Sequence, residues 1–362
     1  MKIVVLPGDG IGPEITGATC LVLEAVSKSF GIEIELLHDV VGHESLRRHG
    51  VTVTDELLQK VRTAEGLVLG PTATYEFRAD KGEINPSMFF RKNLELFANV
   101  RPCRTIEESG SKVGSFDLVV MRENTEGFYA DRNMAEGHGE LLVTPDVAIA
   151  IRRITRFCTE RIAHQAFKLA RKRRKHVTIV HKANVLRISD GMFLDICRGI
   201  ASQYPDVELV DEVLVDAMMA LIVRDPARFD VIVTSNMYGD ILSDLTAELS
   251  GSLGMGGSLN VGENHAMAQA IHGSAPDIAG AGVANPLSLI LSSALLLDWF
   301  AERSGDERYA LAGQAVQAAV ESAVREKQVT RDLGGRLKTI EAGKAVAERL
   351  GGRVLASAGA AS

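Results

Sequence analysis

An α/β fold with a largely parallel sheet is what this chain predicts, on three observations. Short β-branched runs alternate with longer helix-type segments from one end to the other. The runs are continuously apolar, as at residues 3–6 and 231–233, which is how strands buried on both faces read. Polar or charged residues repeatedly follow the ends of these runs, at Thr72, Arg122, Lys182 and Asp240. Ligands of open α/β sheets bind at that carboxyl edge, so the same pattern says where a site belongs. At 362 residues the chain suits two domains or one large α/β unit.

Residues 3–6 form the first predicted strand. Gly8-Asp9-Gly10-Ile11-Gly12-Pro13-Glu14 then turns into a helix, with Pro13 and Glu14 fitting its first turn. The glycine spacing is GxGxG, not the GxGxxG of a dinucleotide turn, and alone it is weak evidence for nucleotide binding. Strands follow at 32–37 and 66–69, separated by a helix over 54–62. A helix including 89–95 leads to a strand near 97–100, and 117–121 is the next strand. A long helix is predicted over 146–170. After it come a strand at 177–180, a helix over 191–202, a strand at 207–211, a helix over 213–223 carrying Asp216, and a strand over 229–234 that feeds a helix starting near Gly239. The dense glycines of Gly251-Ser252-Leu253-Gly254-Met255-Gly256-Gly257 read as a crossing between lobes. Residues 351–362 read as a frayed tail.

Composition narrows the partners. Lys and Arg number 40 against 47 Asp and Glu, a net charge of −7, which disfavours nucleic acid. The one dense basic run, Arg171-Lys172-Arg173-Arg174-Lys175, falls at a helix end, where cations complement the macrodipole. Cys20, Cys103, Cys158 and Cys197 form no CxxC pair and read as reduced, buried thiols. The longest apolar stretch, residues 286–300, is broken by serines and an aspartate and is too short for a membrane span. The N-terminal apolar run is too short for a signal peptide. The expectation is a cytoplasmic protein with neither nucleic acid nor membrane as partner.

Four groups of residues carry chemistry. In Asn236-Met237-Tyr238-Gly239-Asp240-Ile241-Leu242-Ser243-Asp244 the two aspartates lie one helical turn apart, on one face. Paired carboxylates at a strand's end suit Mg²⁺ or Mn²⁺; an N-cap followed by a solvated face fits the spacing too. Arg91, Arg101 and Arg122 are planar, permanently charged forks suited to carboxylates. Each fits a structural ion pair equally well, but three together in an acidic chain point to a small polycarboxylate. Tyr129 and Lys182 are candidates for acid–base work. The loop over 271–280 has small residues that allow close backbone approach, and its Asp277 could accept from a ribose diol while repelling a 2′-phosphate.

Read together, these segments resemble the isocitrate/isopropylmalate dehydrogenase family of β-decarboxylating dehydrogenases. The resemblance runs through LPGDGIGPE from Leu6, Arg91 and Arg101 ten residues apart, RENTEGFY from Arg122, HKAN from His181, NMYGDILSD from Asn236 and HGSAPDIAGAGVANP from His272. It implies an isopropylmalate-dehydrogenase-like two-domain fold with a mixed, mostly parallel sheet, not a standard Rossmann fold, with residues 1–99 plus 255–362 as the outer, cofactor-side domain and 100–254 as the inner domain with the dimer interface. It also implies a homodimer with shared active sites, in which Lys182, Asn184 and Asp216 of one subunit face Asp240, Asp244, Tyr129 and the arginines of the other. By resemblance, Asp216, Asp240 and Asp244 hold Mg²⁺ or Mn²⁺, Lys182 and Tyr129 are catalytic, and Arg91, Arg101, Arg122 and Asn184 hold substrate. NAD would be held by Thr74, His272, Gly273, Ala275, Asp277, Ile278, Asn285 and Asp332. Asp277-Ile278 stands where NADP-using relatives carry basic or aromatic residues.

Substrate choice is implied less uniformly. RENTEG resembles the isocitrate, homoisocitrate and malate/tartrate branches rather than the isopropylmalate branch. Asn85 and Ser87 take the places that would serve a third carboxylate, while the neighbouring Met88 is apolar. Isocitrate is the expected substrate, with 3-isopropylmalate, homoisocitrate and D-malate or tartrate as alternatives. Gln269 departs from the glutamate usual in the family.

Overall fold

The computed structural model describes residues 1–78, 81–106, 110–111, 113–129 and 139–358. The first third runs β1 (Lys2–Leu6), α1 (Gly12–Phe30), β2 (Glu35–His38), α2 (His43–His49), α3 (Asp55–Arg62), β3 (Gly66–Leu69), α4 (Pro86–Asn93), β4 (Ala98–Arg104) and β5 (Asp117–Glu123). The middle runs β6 (Glu140–Thr144), β7 (Val147–Ala150), α5 (Arg156–Arg171), β8 (His176–His181), α6 (Ser189–Ala201), β9 (Glu208–Leu214), α7 (Val215–Arg224), β10 (Val231–Thr234) and α8 (Asn236–Leu249). The last part runs β11 (Leu259–Val261), β12 (Ala266–Gln269), α9 (Leu287–Ser304), α10 (Glu307–Arg325) and α11 (Thr339–Ala358).

Ten of these strands make one sheet in the order β2-β1-β3-β12-β11-β4-β5-β10-β8-β9. Its two flanks are parallel, and the antiparallel β12-β11-β4-β5 pairings sit at the centre. The fold is therefore the mixed, mostly parallel α/β architecture that the alternating runs predict. Helices cover both faces, and four apolar clusters fill the gaps. Two draw almost wholly on residues before 107 and after 254, and two on residues 97–249 with a few neighbours.

The predicted helix over 146–170 is wrong in its first part. Residues 140–150 form the β6-β7 hairpin, and the helix begins only at Arg156. Pro145-Asp146 supplies turn chemistry, and Thr155 caps α5 by accepting from the Cys158 N–H at 3.2 Å. The strand placed near 97–100 runs on through Arg101 to Arg104, because β5 pairs with it along its whole length. The helix expected from Gly239 starts at Asn236, and the strand expected at 32–37 is shorter and later, at Glu35–His38. Helix α11 reaches Ala358, into the segment read as a tail; residues 359–362 lie outside the described residues. The basic run after α5 is structural: Arg173 Nε lies 2.8 Å from the buried Asp230, and Arg173 also pairs with Asp117. All four cysteines are buried and free.

Candidate active site

Strand alternation sorts the site's arginines. Successive side chains of a strand leave opposite faces, so Arg101 on β4 and Arg122 on β5 point to the face that α8 covers, while Val100 and Val119 face α5. Helix α8 comes close because residue 239 is glycine: a Cβ there would stand 2.7 Å from the Arg122 Cβ. The approach puts Asp240 and Asp244 beside both guanidiniums, which are 5 % and 2 % exposed. Arg101 Nη1 donates to Ser243 Oγ at 2.6 Å and lies 3.2 Å from Asp244 and 3.3 Å from Asp240. Arg122 donates from Nε and Nη2 to Asn236 Oδ1, at 3.0 and 2.7 Å, and pairs with Asp240 through Nη1. Burial raises the Asp244 pKa; Arg101 and Arg122 pull it down and Asp240 pushes it up. Two hard carboxylates on one helix face form a donor set that fits a divalent ion.

Beside this cluster opens a cleft lined by Thr72, Thr74, Asn85, Ser87, Met88, Arg91, Arg122, Tyr129, Asp240 and Gln269. Helix α4 supplies one wall. Asn85 is its N-cap, and its Oδ1 accepts from the Ser87 and Met88 N–H groups at 3.0 and 3.4 Å. That oxygen is committed to the helix, so only the amide of Asn85 can donate to a ligand. Gln269, at the end of β12, accepts from Ser87 Oγ at 3.0 Å and Arg91 Nη2 at 3.1 Å.

A second cavity is lined by Ile11, Gly254, His272, Gly273, Ala275, Ile278, Val283, Ala284, Asn285 and Asp332. Asn285 Nδ2 donates to Asp332 Oδ2 at 2.8 Å, and Thr330 Oγ1 donates to Asp332 Oδ1 at 2.6 Å. Burial holds the His272 imidazole below its ordinary pKa, which favours the neutral ring. Gly10 has φ +59°, and a Cβ there would collide with the Ser274 carbonyl; this lets Ile11 N–H donate to Ser274 O at 2.9 Å and brings the N-terminal turn against the 272–275 loop. Six of the eight residues expected on the cofactor side line this cavity. Asp277 is exposed next to it, and Thr74 lines the cleft instead. Cleft and cavity are adjacent: Gln269 borders one and His272 the other, and three residues span at most about 11 Å.

Lys182, Asp216 and Asn184 form a separate group within the chain. Lys182 Nζ pairs with Asp216 at 2.5 Å, and that bond holds the Asp216 carboxyl below its ordinary pKa. Asn184 is exposed. Among the described residues, Asp216 does not join Asp240 and Asp244 in a group of three acidic, His or Cys ligands able to hold one ion. Sequence reasoning assigned no role to Asn236 and Ser243, which brace Arg122 and Arg101. Their position directly after a buried strand, or about two turns further along α8, was the available signal.

The sequence pattern of the isocitrate/isopropylmalate dehydrogenases matches residues 2–346. The chain belongs to this family. It is 42 % identical over 350 residues to the 3-isopropylmalate dehydrogenase of Archaeoglobus fulgidus, an alignment covering 96 % of this chain and 99 % of that one. It is 39 % identical over 350 residues to the isocitrate/homoisocitrate dehydrogenase of Thermus thermophilus, covering 96 % and 98 %. The crystal structure of isocitrate dehydrogenase from Methylococcus capsulatus superposes with a TM-score of 0.86 at 37 % identity, covering 97 % of this chain and 99 % of that one. Membership makes the protein a decarboxylating dehydrogenase that works with a nicotinamide cofactor, a divalent metal and a small polycarboxylate. No helix among the described residues is long and apolar enough to cross a membrane.

Proposed function

We propose that the protein is an NAD- and Mg²⁺- or Mn²⁺-dependent enzyme that oxidises and decarboxylates a (2R)-2-hydroxy acid bearing a β-carboxylate, with an isocitrate-type acid as substrate. The observation that carries this reading is the cleft in which Arg91, Arg122, Tyr129 and Asp240 meet, next to a cavity lined by six of the residues expected on the cofactor side. In it, Arg91, Arg101 and Arg122 bind and orient the substrate carboxylates, a positioning task worth several kcal/mol. A base chain through Lys182 removes the hydroxyl proton, Asn184 contacts substrate, and Tyr129 returns a proton to the carbon that loses carbon dioxide. Asp240 and Asp244, with Asp216 of the partner subunit, would hold the metal ion. Bound NAD would take the C2 hydride, and the metal ion would polarise the C2 oxygen. The exposed Asp277 beside Ile278 supports NAD over NADP, since a carboxylate repels a 2′-phosphate.

The separation of Lys182 and Asp216 from Asp240 supports a homodimer with shared sites. So does the hairpin: Leu141 is 60 % and Leu142 69 % exposed, an apolar surface of the kind that partners cover. We assign residues 1–99 and 255–362 to the outer domain and 100–254 to the inner one, in keeping with the division of the apolar clusters. Four buried free thiols favour the cytoplasm.

A second reading, 3-isopropylmalate as substrate, is favoured by Met88 in the cleft wall and by the 42 % identical relative. A panel of isocitrate, homoisocitrate, 3-isopropylmalate and D-malate, each with NAD and Mn²⁺, separates the two. The first reading predicts the highest kcat/KM for isocitrate or homoisocitrate. Preference for 3-isopropylmalate selects the second, and NADH formation from none of them refutes both.

A further inference from the structure

Asp9 is 7 % exposed, and its hydrogen bonds run to backbone groups. Its Oδ1 accepts from His43 N–H at 2.8 Å and its Oδ2 from Ala73 N–H at 3.0 Å, while its own N–H donates to Pro71 O at 2.7 Å. Gly42 leaves room for the carboxylate: a Cβ there would stand 2.4 Å from Oδ2. Both oxygens are needed, because a backbone N–H can only donate. An asparagine would offer one acceptor and one donor group, so it could serve only one of the two N–H groups. Ala73 sits between Thr72 and Thr74, which both line the substrate cleft. Two residues after Asp9, Ile11 N–H donates to Ser274 O at 2.9 Å, in the loop that borders the cofactor-side cavity.

We propose that Asp9 is a positioning residue for hydride transfer: it pins Ala73, and with it Thr72 and Thr74, to the same turn that holds Ser274, and so keeps the substrate cleft in register with the cofactor loop. This rests on the reading of cleft and cavity as substrate and NAD sites, with Thr74 on the nicotinamide side. The arginines and aspartates that would hold the acid and its metal stand on other elements, α4, β4, β5 and α8. A loop shifted by about 1 Å would therefore misplace Thr74 against the nicotinamide and leave the anchors of the acid where they are. A misplacement of that size can cost a reaction about a hundredfold. The GxGxG turn, weak as a nucleotide signal, thus has a physical use as a brace between two loops.

The test compares full-length wild type, Asp9→Asn, Thr74→Ala and the double variant, using the preferred acid of the panel with NAD and Mn²⁺. Asp9→Asn should lower kcat/KM for NAD by about tenfold or more, while the Kd of the acid for the Mn²⁺-loaded enzyme, measured by calorimetry, stays within about twofold. In the Thr74→Ala background the same substitution should cost less, because the two residues act through one loop. Three results overturn the proposal in a folded Asp9→Asn enzyme: an unchanged kcat/KM for NAD, losses that multiply independently with Thr74→Ala, or an equal weakening of acid binding, which is what a purely structural role gives. Should Asp9→Asn not fold, amide hydrogen exchange of the wild type decides. NAD should slow exchange of residues 70–74 and 272–275 together, and slowing of 272–275 alone overturns the coupling. A wild type that reduces NAD with no acid of the panel overturns the reading of cleft and cavity instead, so the two failures are distinguished by whether the wild type is active.

Discussion

Asp240 and Asp216 carry the same carboxylate and live in opposite settings. Asp240 lies at the carboxyl edge of the sheet centre, beside two nearly inaccessible arginines and at the mouth of the cleft. Asp216 sits in the first turn of α7 with its side chain 65 % exposed, and its partner is Lys182. The Asp240 group is braced from every side by β4, β5 and α8. The Lys182 group is held at its base, where the Lys182 N–H donates to the buried Asp190 at 2.6 Å and Arg152 pairs with Asp190 at 2.6 Å, while its functional ends face outward. A rigid base with an exposed tip is what one half of a composite site requires. The difference is the one that the proposed shared site predicts, with each chain supplying two complementary half-sites.

The largest effects should come from the buried half. Asp240→Asn should lower kcat/KM by about a thousandfold or more and weaken Mn²⁺ binding measured by titration calorimetry, because it removes one of the carboxylates proposed to hold the metal. Chelation of the wild type should abolish turnover reversibly; activity that survives exhaustive chelation removes the metal from the account. Next, Asp277→Lys with Ile278→Tyr should move the NAD-to-NADP ratio of kcat/KM toward NADP by about tenfold or more, since a repulsive carboxylate becomes an attractive ammonium. An unchanged ratio means that this exposed turn does not read the ribose.

A smaller effect concerns the join between the end of β5 and the start of α5. Glu126 is 1 % exposed and accepts from the Thr155 N–H and hydroxyl at 2.9 Å. Burial, with Glu123 nearby, pushes its pKa up to about 7. The folded state thus holds a proton that the unfolded chain has released above its ordinary pKa near 4.5. Stability should therefore fall as the pH rises from about 4.5 to about 7 and level off above, the total being on the order of 3 kcal/mol. Glu126→Gln should flatten that slope in urea melts at pH 5, 6, 7 and 8. An equal slope in the variant would assign the loss to other groups.

The sequence carried the buried half of this comparison better than the exposed half. Parallel strands buried on both faces leave continuous apolar runs, and the residues that follow β3, β5, β8 and β10 were legible as a carboxyl edge. Arg101, Arg122, Asp240 and Asp244 could be singled out because charge beside an apolar run is costly without a purpose. The β6-β7 hairpin was misread because Val147-Ala148-Ile149-Ala150 lacks the polar alternation of a half-solvated strand; all four residues are exposed in the single chain, so neither face shows a polar pattern. Strands β11 and β12 were not foreseen, being only three and four residues long. The braces Asn236 and Ser243 are neutral and polar, and such residues look like ordinary helix residues until the arginines are seen against them. The hydrogen bonds of Gln269 to Ser87 and Arg91, 182 and 178 residues away, exist only in three dimensions.

Subunit complementation tests the half-site account most directly. Lys182→Met and Asp240→Asn homodimers should each be inactive. Unfolded together in equal amounts and refolded, they should regain about a quarter of wild-type activity, because half the dimers are mixed and each mixed dimer rebuilds one intact site of two. No recovery in a mixture shown by mass spectrometry to contain mixed dimers would contradict shared sites, and so would a fully active monomer.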